Sequence, residues 1–198
     1  MQKIDLEKER VALDREITFF HFEKAKKKIA KCIKEASKAN NIFFLSYFTA
    51  QKFIVRREFE KAIRYLNICI KLRPHDGCSH NDKAICLAEL GKYEEALSVF
   101  DRGISLSRDC ASLYHNKGWL LNAMGRFRQS IMYFKKALEL DCKRVEAIFS
   151  LGDSYLKMGE IKTAEKYFTE ALGEIKGKSS YVYGEIKKQL NSLRKQRV

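Results

Sequence analysis

Proline is almost missing from this sequence: one residue, Pro74, in a chain of 198. Glycine is nearly as scarce at ten residues, and none precedes Pro74. A chain this poor in turn punctuation is expected to be helical. Long hydrophobic runs are absent too. The most apolar stretch, IFFLSYFTA from Ile42 to Ala50, stops well short of the ~18 residues of a membrane span. The opening MQKIDLEKERVALDRE is charged throughout and lacks the apolar centre of a secretory leader. The location expected from these two absences is cytoplasmic.

Paired chemical motifs are missing as well. Cys32, Cys69, Cys78, Cys86, Cys110 and Cys142 form no C-x-x-C pair, which argues against a zinc ribbon or a thioredoxin-type motif and for reduced structural thiols. His75-x-x-Cys78-x-His80 offers three possible ligands in six residues, but no second pair follows to complete a metal site. No P-loop and no G-x-G-x-x-G occurs, and the four histidines show no pattern that pairs them with a nucleophile. The expectation is a protein without enzymatic activity, without catalytic residues and without a metal or other cofactor. A hydrophobic content of 45% beside 32% charged residues still describes a folded, soluble protein.

What the sequence does contain is a period. Starting at Ala62 and moving in steps of 34, one meets Ala96, Ser130 and Ala164, all small. Four residues after each stands Leu66, Phe100, Phe134 or Phe168. Three before each is Phe59, Tyr93, Phe127 or Ile161, and eight after is Ile70, Ile104, Leu138 or Leu172. Twelve residues earlier a second small position recurs as Ala50, Ala84, Gly118 and Gly152. Gly91, Gly125 and Gly159 precede the last three markers by five, and Arg57 holds that place in the first copy.

Offsets of −3, 0, +4 and +8 fall on one face of a helix. The segment before each glycine has its own stripe, as at Ile148, Leu151, Gly152 and Tyr155. Each unit therefore reads as two amphipathic helices around a tight turn, with the glycine supplying the left-handed conformation that ends a helix cheaply. Small residues let the two helices approach while rings fill the gap. One such pair cannot bury its apolar face alone, so the pairs must stack. The phrase FEKA with CIK ten residues on occurs at Phe22 as well as Phe59, and Phe22, Ala25, Ile29 and Ile33 repeat the second-helix pattern. Residues 5–40 thus read as a degenerate leading pair. Its first helix carries the seam Leu6, Leu13, Ile17 and Phe20, although Glu16 stands where an aromatic is expected. Tyr183, Ile186, Leu190 and Leu193 mark a closing helix over about 179–196.

The pattern resembles the tetratricopeptide repeat, W-x2-L-G-x2-Y…A-x3-F…P. The fourth copy has Leu151, Gly152 and Tyr155; the A-x3-F element stands at Ala96/Phe100 and Ala164/Phe168, and nearly so at Ser130/Phe134. The final proline survives as Pro74 alone, the tryptophan position holds Ser46, His80, Tyr114 and Ile148, and Lys83 and Lys117 replace the leucine, which alters the surface. The resemblance spans about residues 43–176. It implies an all-α fold, a right-handed superhelical solenoid of stacked antiparallel helix pairs. The divisions expected are a degenerate cap at 1–42, repeats at 43–76, 77–110, 111–144 and 145–178, and a capping helix at 179–198, in one continuous domain.

In this family the first helices line a concave groove that takes an extended peptide or a partner helix. The groove positions fall on Tyr47, Phe48, Gln51 and Ile54, then Asn81, Asp82, Ile85 and Ala88. They continue through His115, Asn116, Trp119 and Asn122 to Phe149, Ser150, Asp153 and Leu156. Tyr47, Gln51, Asn81, Asp82, Ile85, His115, Asn116, Trp119, Phe149 and Asp153 are the candidate binding residues. Trp119 and Phe149 read either as anchors or as packing beneath a neighbouring repeat. Members that grip acidic chaperone C-termini use a Lys, Asn, Asn, Lys and Arg set. Here those places hold Tyr47, Gln51, Asp82, Ser112 and Asn116, or one unit later Asn81, Ile85, Asn116, Glu146 and Ser150. Cations are missing and Asp82 and Glu146 would repel a carboxylate, so the ligand expected is a neutral or basic, partly apolar segment.

Charge is uneven. Residues 17–42 carry net +5 and residues 176–198 net +6, whereas 43–175 carry +4 of a total of +14. The basic ends read as solvated helix faces, or alternatively as phosphate-binding surfaces for nucleic acid. The function expected is a protein–protein interaction scaffold. The alternatives are a nucleic-acid-associated factor that uses its basic ends and a chaperone of the secretion or assembly type.

Overall fold

The computed structural model describes residues 4–18, 22–141, 145–175 and 181–195, and every regular element among them is an α-helix. Phe20 and Cys142 lie outside the described residues, as does the side chain of Ile17. The chain divides into two compact units, Met1–Ser107 and Arg108–Val198.

The first unit contains α1 (Leu6–Thr18), α2 (Phe22–Lys38), α3 (Ile42–Val55), α4 (Phe59–Leu72), α5 (Gly77–Glu89) and α6 (Tyr93–Leu106). Each helix packs on the next in chain order. Local chemistry sets the boundaries. Asn40 takes φ 50°, and the Asn41 side chain then accepts the Phe44 N–H to start α3. Asp76 caps α5 in the same way by accepting the Ser79 N–H. Gly91 turns the chain at φ 75°, and Arg57 takes φ 59° in the equivalent place despite its Cβ.

The second unit contains α7 (Ala111–Ala123), α8 (Phe127–Leu140), α9 (Val145–Lys157), α10 (Ile161–Glu174) and α11 (Tyr181–Lys195), again packed in order. The helices approach closely at Gly118 and Gly152. A Cβ on Gly118 would lie 2.8 Å from the Phe134 ring, and one on Gly152 would lie 2.6 Å from the Phe168 ring. Both rings are fully buried. α11 closes the unit by burying Ile186, Leu190 and Leu193.

The small markers Ala62, Ala96, Ser130 and Ala164 are fully buried, as are Leu66, Phe100, Phe134 and Phe168 four residues on. The rest of the expected stripe differs. Tyr93 and Ile161 are exposed, and so is Phe22. Opening a helix does not by itself decide this, because Phe59 at the start of α4 is buried in one cluster with Ala62 and Leu66, and Phe127 at the start of α8 is half-buried. Tyr183, in the first turn of α11, is exposed as well. The residues at +8 are half-buried. A second small position at +7, namely Cys69, Gly103, Ala137 and Ala171, takes the fully enclosed place instead.

Lys117 corrects another expectation. It does not alter the surface: it is 6% exposed, its ammonium donating to the Tyr133 hydroxyl at 2.8 Å and lying 4.4 Å from that ring's centre. Cys32, Cys69, Cys78, Cys86 and Cys110 are free thiols, and burial pushes Cys32 up to about 11 and Cys69 up to about 12. Among the described residues no helix is long and apolar enough to cross a membrane.

Candidate partner-binding face

The first helices of successive pairs carry the candidate residues, and the two units treat them differently. In the first unit, Tyr47 and Gln51 on α3 and Asn81 on α5 are buried. Arg10 of α1 accounts for part of this. Its guanidinium lies 4.3 Å from the centre of the Tyr47 ring and 5.4 Å from that of Phe43. One terminal nitrogen donates to both carboxylate oxygens of Asp76 at 2.9 and 3.1 Å, and the other donates to Glu7 at 2.8 Å. At 5% exposure, Arg10 is a desolvated cation held by two carboxylates and two rings.

Next to it, Gln51 Nε2 donates to one oxygen of Asp82 at 2.5 Å, and Asn81 Nδ2 donates to the other at 3.2 Å. Burial pushes the Asp82 carboxyl up to about 6, a rise only partly offset by the hydrogen bonds from Asn81 and Tyr47. Ile85 is half-buried on the same helix. These side chains satisfy one another and leave little for a partner. The residues that close this face, Arg10 and Asp76, were not among the candidates. Arg10 precedes Tyr47 by 37 residues, the offset that also relates Ala25 to Ala62, so the extended repeat places it in register.

The second unit is more open. His115 and Asn116 on α7 are half-buried, with His115 Nδ1 3.1 Å from Asn116 Oδ1 and Nε2 3.4 Å from Ser150 Oγ on α9. Farther along, Asn122 Nδ2 donates to Asp153 Oδ2 at 3.1 Å and to Ser154 Oγ at 2.7 Å. Lys157 completes this cluster, donating to Asn122 Oδ1 at 2.8 Å and pairing with Asp153 at 2.8 Å. Asp153 is therefore neutralised within its own helix. Phe149 is half-buried, its ring 5.5 Å from that of Phe168, so much of it belongs to the core of α9 and α10. Trp119 stands between these groups on α7 with 45% of its surface exposed.

Such a face offers hydrogen-bonding groups around an open ring. Among the described residues no group of three or more His, Cys, Asp or Glu side chains is placed to hold a metal ion. His75 and His80 turn to backbone carbonyls, those of Leu106 at 3.4 Å and Pro74 at 2.9 Å.

Fold and face together define a helical-repeat scaffold for protein interaction. Family models for the tetratricopeptide repeat match residues 75–143 and 145–174, half of the sequence between them, and the chain belongs to that family. An uncharacterised protein of Methanocaldococcus jannaschii is 36% identical over 59 residues, which make up 30% of this chain and 69% of that protein. Among solved structures, MamA is similar over 89% of this chain and 94% of its own, with TM-score 0.60 and 20% identity. The type III secretion translocator chaperone SycD of Yersinia enterocolitica is similar over 69% of this chain and 94% of its own, with TM-score 0.58 and 20% identity. At such identities the likeness is one of fold.

Proposed function

We propose that the chain is a non-enzymatic scaffold that holds a segment of a partner protein on the face of α7 and α9, with Trp119 as the anchor. The observation that carries this reading is the exposure of that one large ring beside half-buried polar groups. An indole left 45% exposed retains apolar surface that folding has not removed from water, and a partner gains by covering it. Rigid aromatics of this kind dominate binding energy when a ligand encloses them. His115, Asn116 and Ser150 supply donors and acceptors that fix an extended backbone. With Asp153 and Lys157 paired to each other, that cluster leaves neither charge uncompensated, and a neutral, partly apolar segment fits best. The corresponding face of the first unit is committed to α1 and to its own polar cluster, so the reading centres on the second unit.

Selection from a random displayed peptide library, run in parallel against the wild type and Trp119→Ala, tests this. Sequences enriched on the wild type should be neutral with apolar positions, and should bind the variant at least about tenfold more weakly. Equal enrichment of the same sequences on both proteins contradicts the proposal.

A further inference from the structure

The helix α2 displays more positive charge than its own structure uses. Lys24, Lys27, Lys31, Lys34 and Lys38 are spaced 3, 4, 3 and 4 apart, which places them in one line, and all are exposed. The core-facing line of the same helix is Ala25, Ile29, Cys32 and Ala36, so the lysines occupy the opposite side. Nearby cations are matched: Lys26 with Glu23 at 2.7 Å, Lys28 with Glu9 at 2.5 Å and Lys38 with Glu35 at 2.9 Å. Among the described residues, Lys24, Lys27, Lys31 and Lys34 make no ion pair. Like charges one turn apart repel, so the row costs stability until something negative covers it.

A cleft of about 720 Å³ opens beside this row, between α2 and the end of α3. Its lining is apolar at Ile29, Ala30, Ile33 and Val55, with Lys26, already paired with Glu23, on the α2 side and Lys52 and Arg56 on the far rim. Glu58, also at its edge, is already paired with Lys61 at 2.5 Å. Helical spacing puts Lys27 and Lys34 on either side of Ala30, one turn along the same surface. An apolar cleft is thus bordered by cations on both long sides.

We propose that this surface binds an acidic amphipathic helix of a partner protein, with apolar side chains in the cleft and carboxylates against Lys27, Lys34, Lys52 and Arg56. Both features are needed to choose the occupant. A nucleic acid would satisfy the cations but brings no apolar row for Ile33 and Val55, and the cleft has no aromatic ring on which a base could stack. A helix with acids at every third or fourth residue matches the lysine row in spacing and in sign. The site lies wholly in the first unit and is independent of the Trp119 face.

The test uses the full chain and a fluorescein-labelled helical peptide of about 18 residues, leucine on one face and glutamate on the others, read by anisotropy. Its Glu→Gln counterpart and a single-stranded oligonucleotide serve as comparison probes. The variants are the pair Lys27→Glu with Lys34→Glu, and Ala30→Trp, which fills the cleft; all three positions are exposed, and circular dichroism checks helicity. The acidic peptide should bind the wild type. Affinity should fall about tenfold or more with the Gln peptide, with the charge reversal and with Ala30→Trp. Absence of saturable binding, or Ala30→Trp binding as the wild type does, overturns the proposal. An oligonucleotide that binds more tightly than the peptide and ignores Ala30→Trp also overturns it, in favour of a phosphate-binding surface.

Discussion

Adding one methyl group at Gly152 probes the packing rule on which the repeat depends. A Cβ there would stand 2.6 Å from both Cδ1 and Cε1 of Phe168 and 3.2 Å from Cζ. Carbon atoms rest at about 3.5–4.0 Å, so ring or helix must give way by about 1 Å. The ring has little freedom, being fully buried among Ile148, Ala164 and Phe149. Overpacking of this kind costs about 1–3 kcal/mol. Alanine recovers about 1 kcal/mol over glycine inside a helix, so the net loss for Gly152→Ala is about 1 kcal/mol. Gly184→Ala on α11 supplies the control. Nothing lies within 4 Å of a Cβ at that position, so only the helix term acts and the variant gains up to about 1 kcal/mol. The two variants should therefore differ by about 2 kcal/mol. In urea titrations followed by circular dichroism, with a slope near 2 kcal/mol/M, that is about 1 M between midpoints. A Gly152→Ala midpoint at or above that of Gly184→Ala refutes the argument.

Trp119→Ala should leave stability within about 1 kcal/mol of the wild type in the same titration. Phe149→Ala should lose about 2 kcal/mol, because its ring packs on Phe168. The Asp82 carboxyl sits near 6 in the folded protein against an ordinary 3.8, so the folded state holds the proton more tightly. Its contribution to stability should be greatest below about pH 4, fall as pH rises toward 6, and stay low above that. The change is at most about 3 kcal/mol, and less because the residue is only half-buried; the stability difference between wild type and Asp82→Asn across this range measures it. Arg10→Met keeps much of the packing but leaves Asp76 without its guanidinium. A local loss of about 3 kcal/mol should appear as faster hydrogen exchange in Leu6–Thr18 with α7 to α11 unchanged.

Most of the scaffold was legible because its determinants are local and repeat. The small markers, the turn glycines at φ 75–79° and the close approach at Gly118 and Gly152 all follow from period and helix geometry. Less visible was what each position of a stripe meets on the neighbouring helix. Phe22, Tyr93 and Ile161 share the repeat position of Phe59, yet they are exposed while Phe59 is buried beside Ala62 and Leu66, a difference the period alone does not carry. The enclosed +7 position was readable in Cys69, Gly103, Ala137 and Ala171, which share the period and are small, whereas the bulky +8 side chains are only half-buried. The candidate face was harder still. Whether Tyr47 and Gln51 meet solvent depends on a residue far along the chain, Arg10, and on its reach to Asp76 sixty-six positions later. Lys117 likewise looked like a surface change until Tyr133 supplied its partner.

Trp119 is the sole tryptophan in the chain, so its emission reports on the proposed anchor without labelling. Titrating a selected peptide into the wild-type protein should shift that emission to shorter wavelength and reduce its quenching by acrylamide, in step with binding followed independently by anisotropy of the peptide. Saturable anisotropy with unchanged emission and quenching would show that partners are held elsewhere and contradict the account.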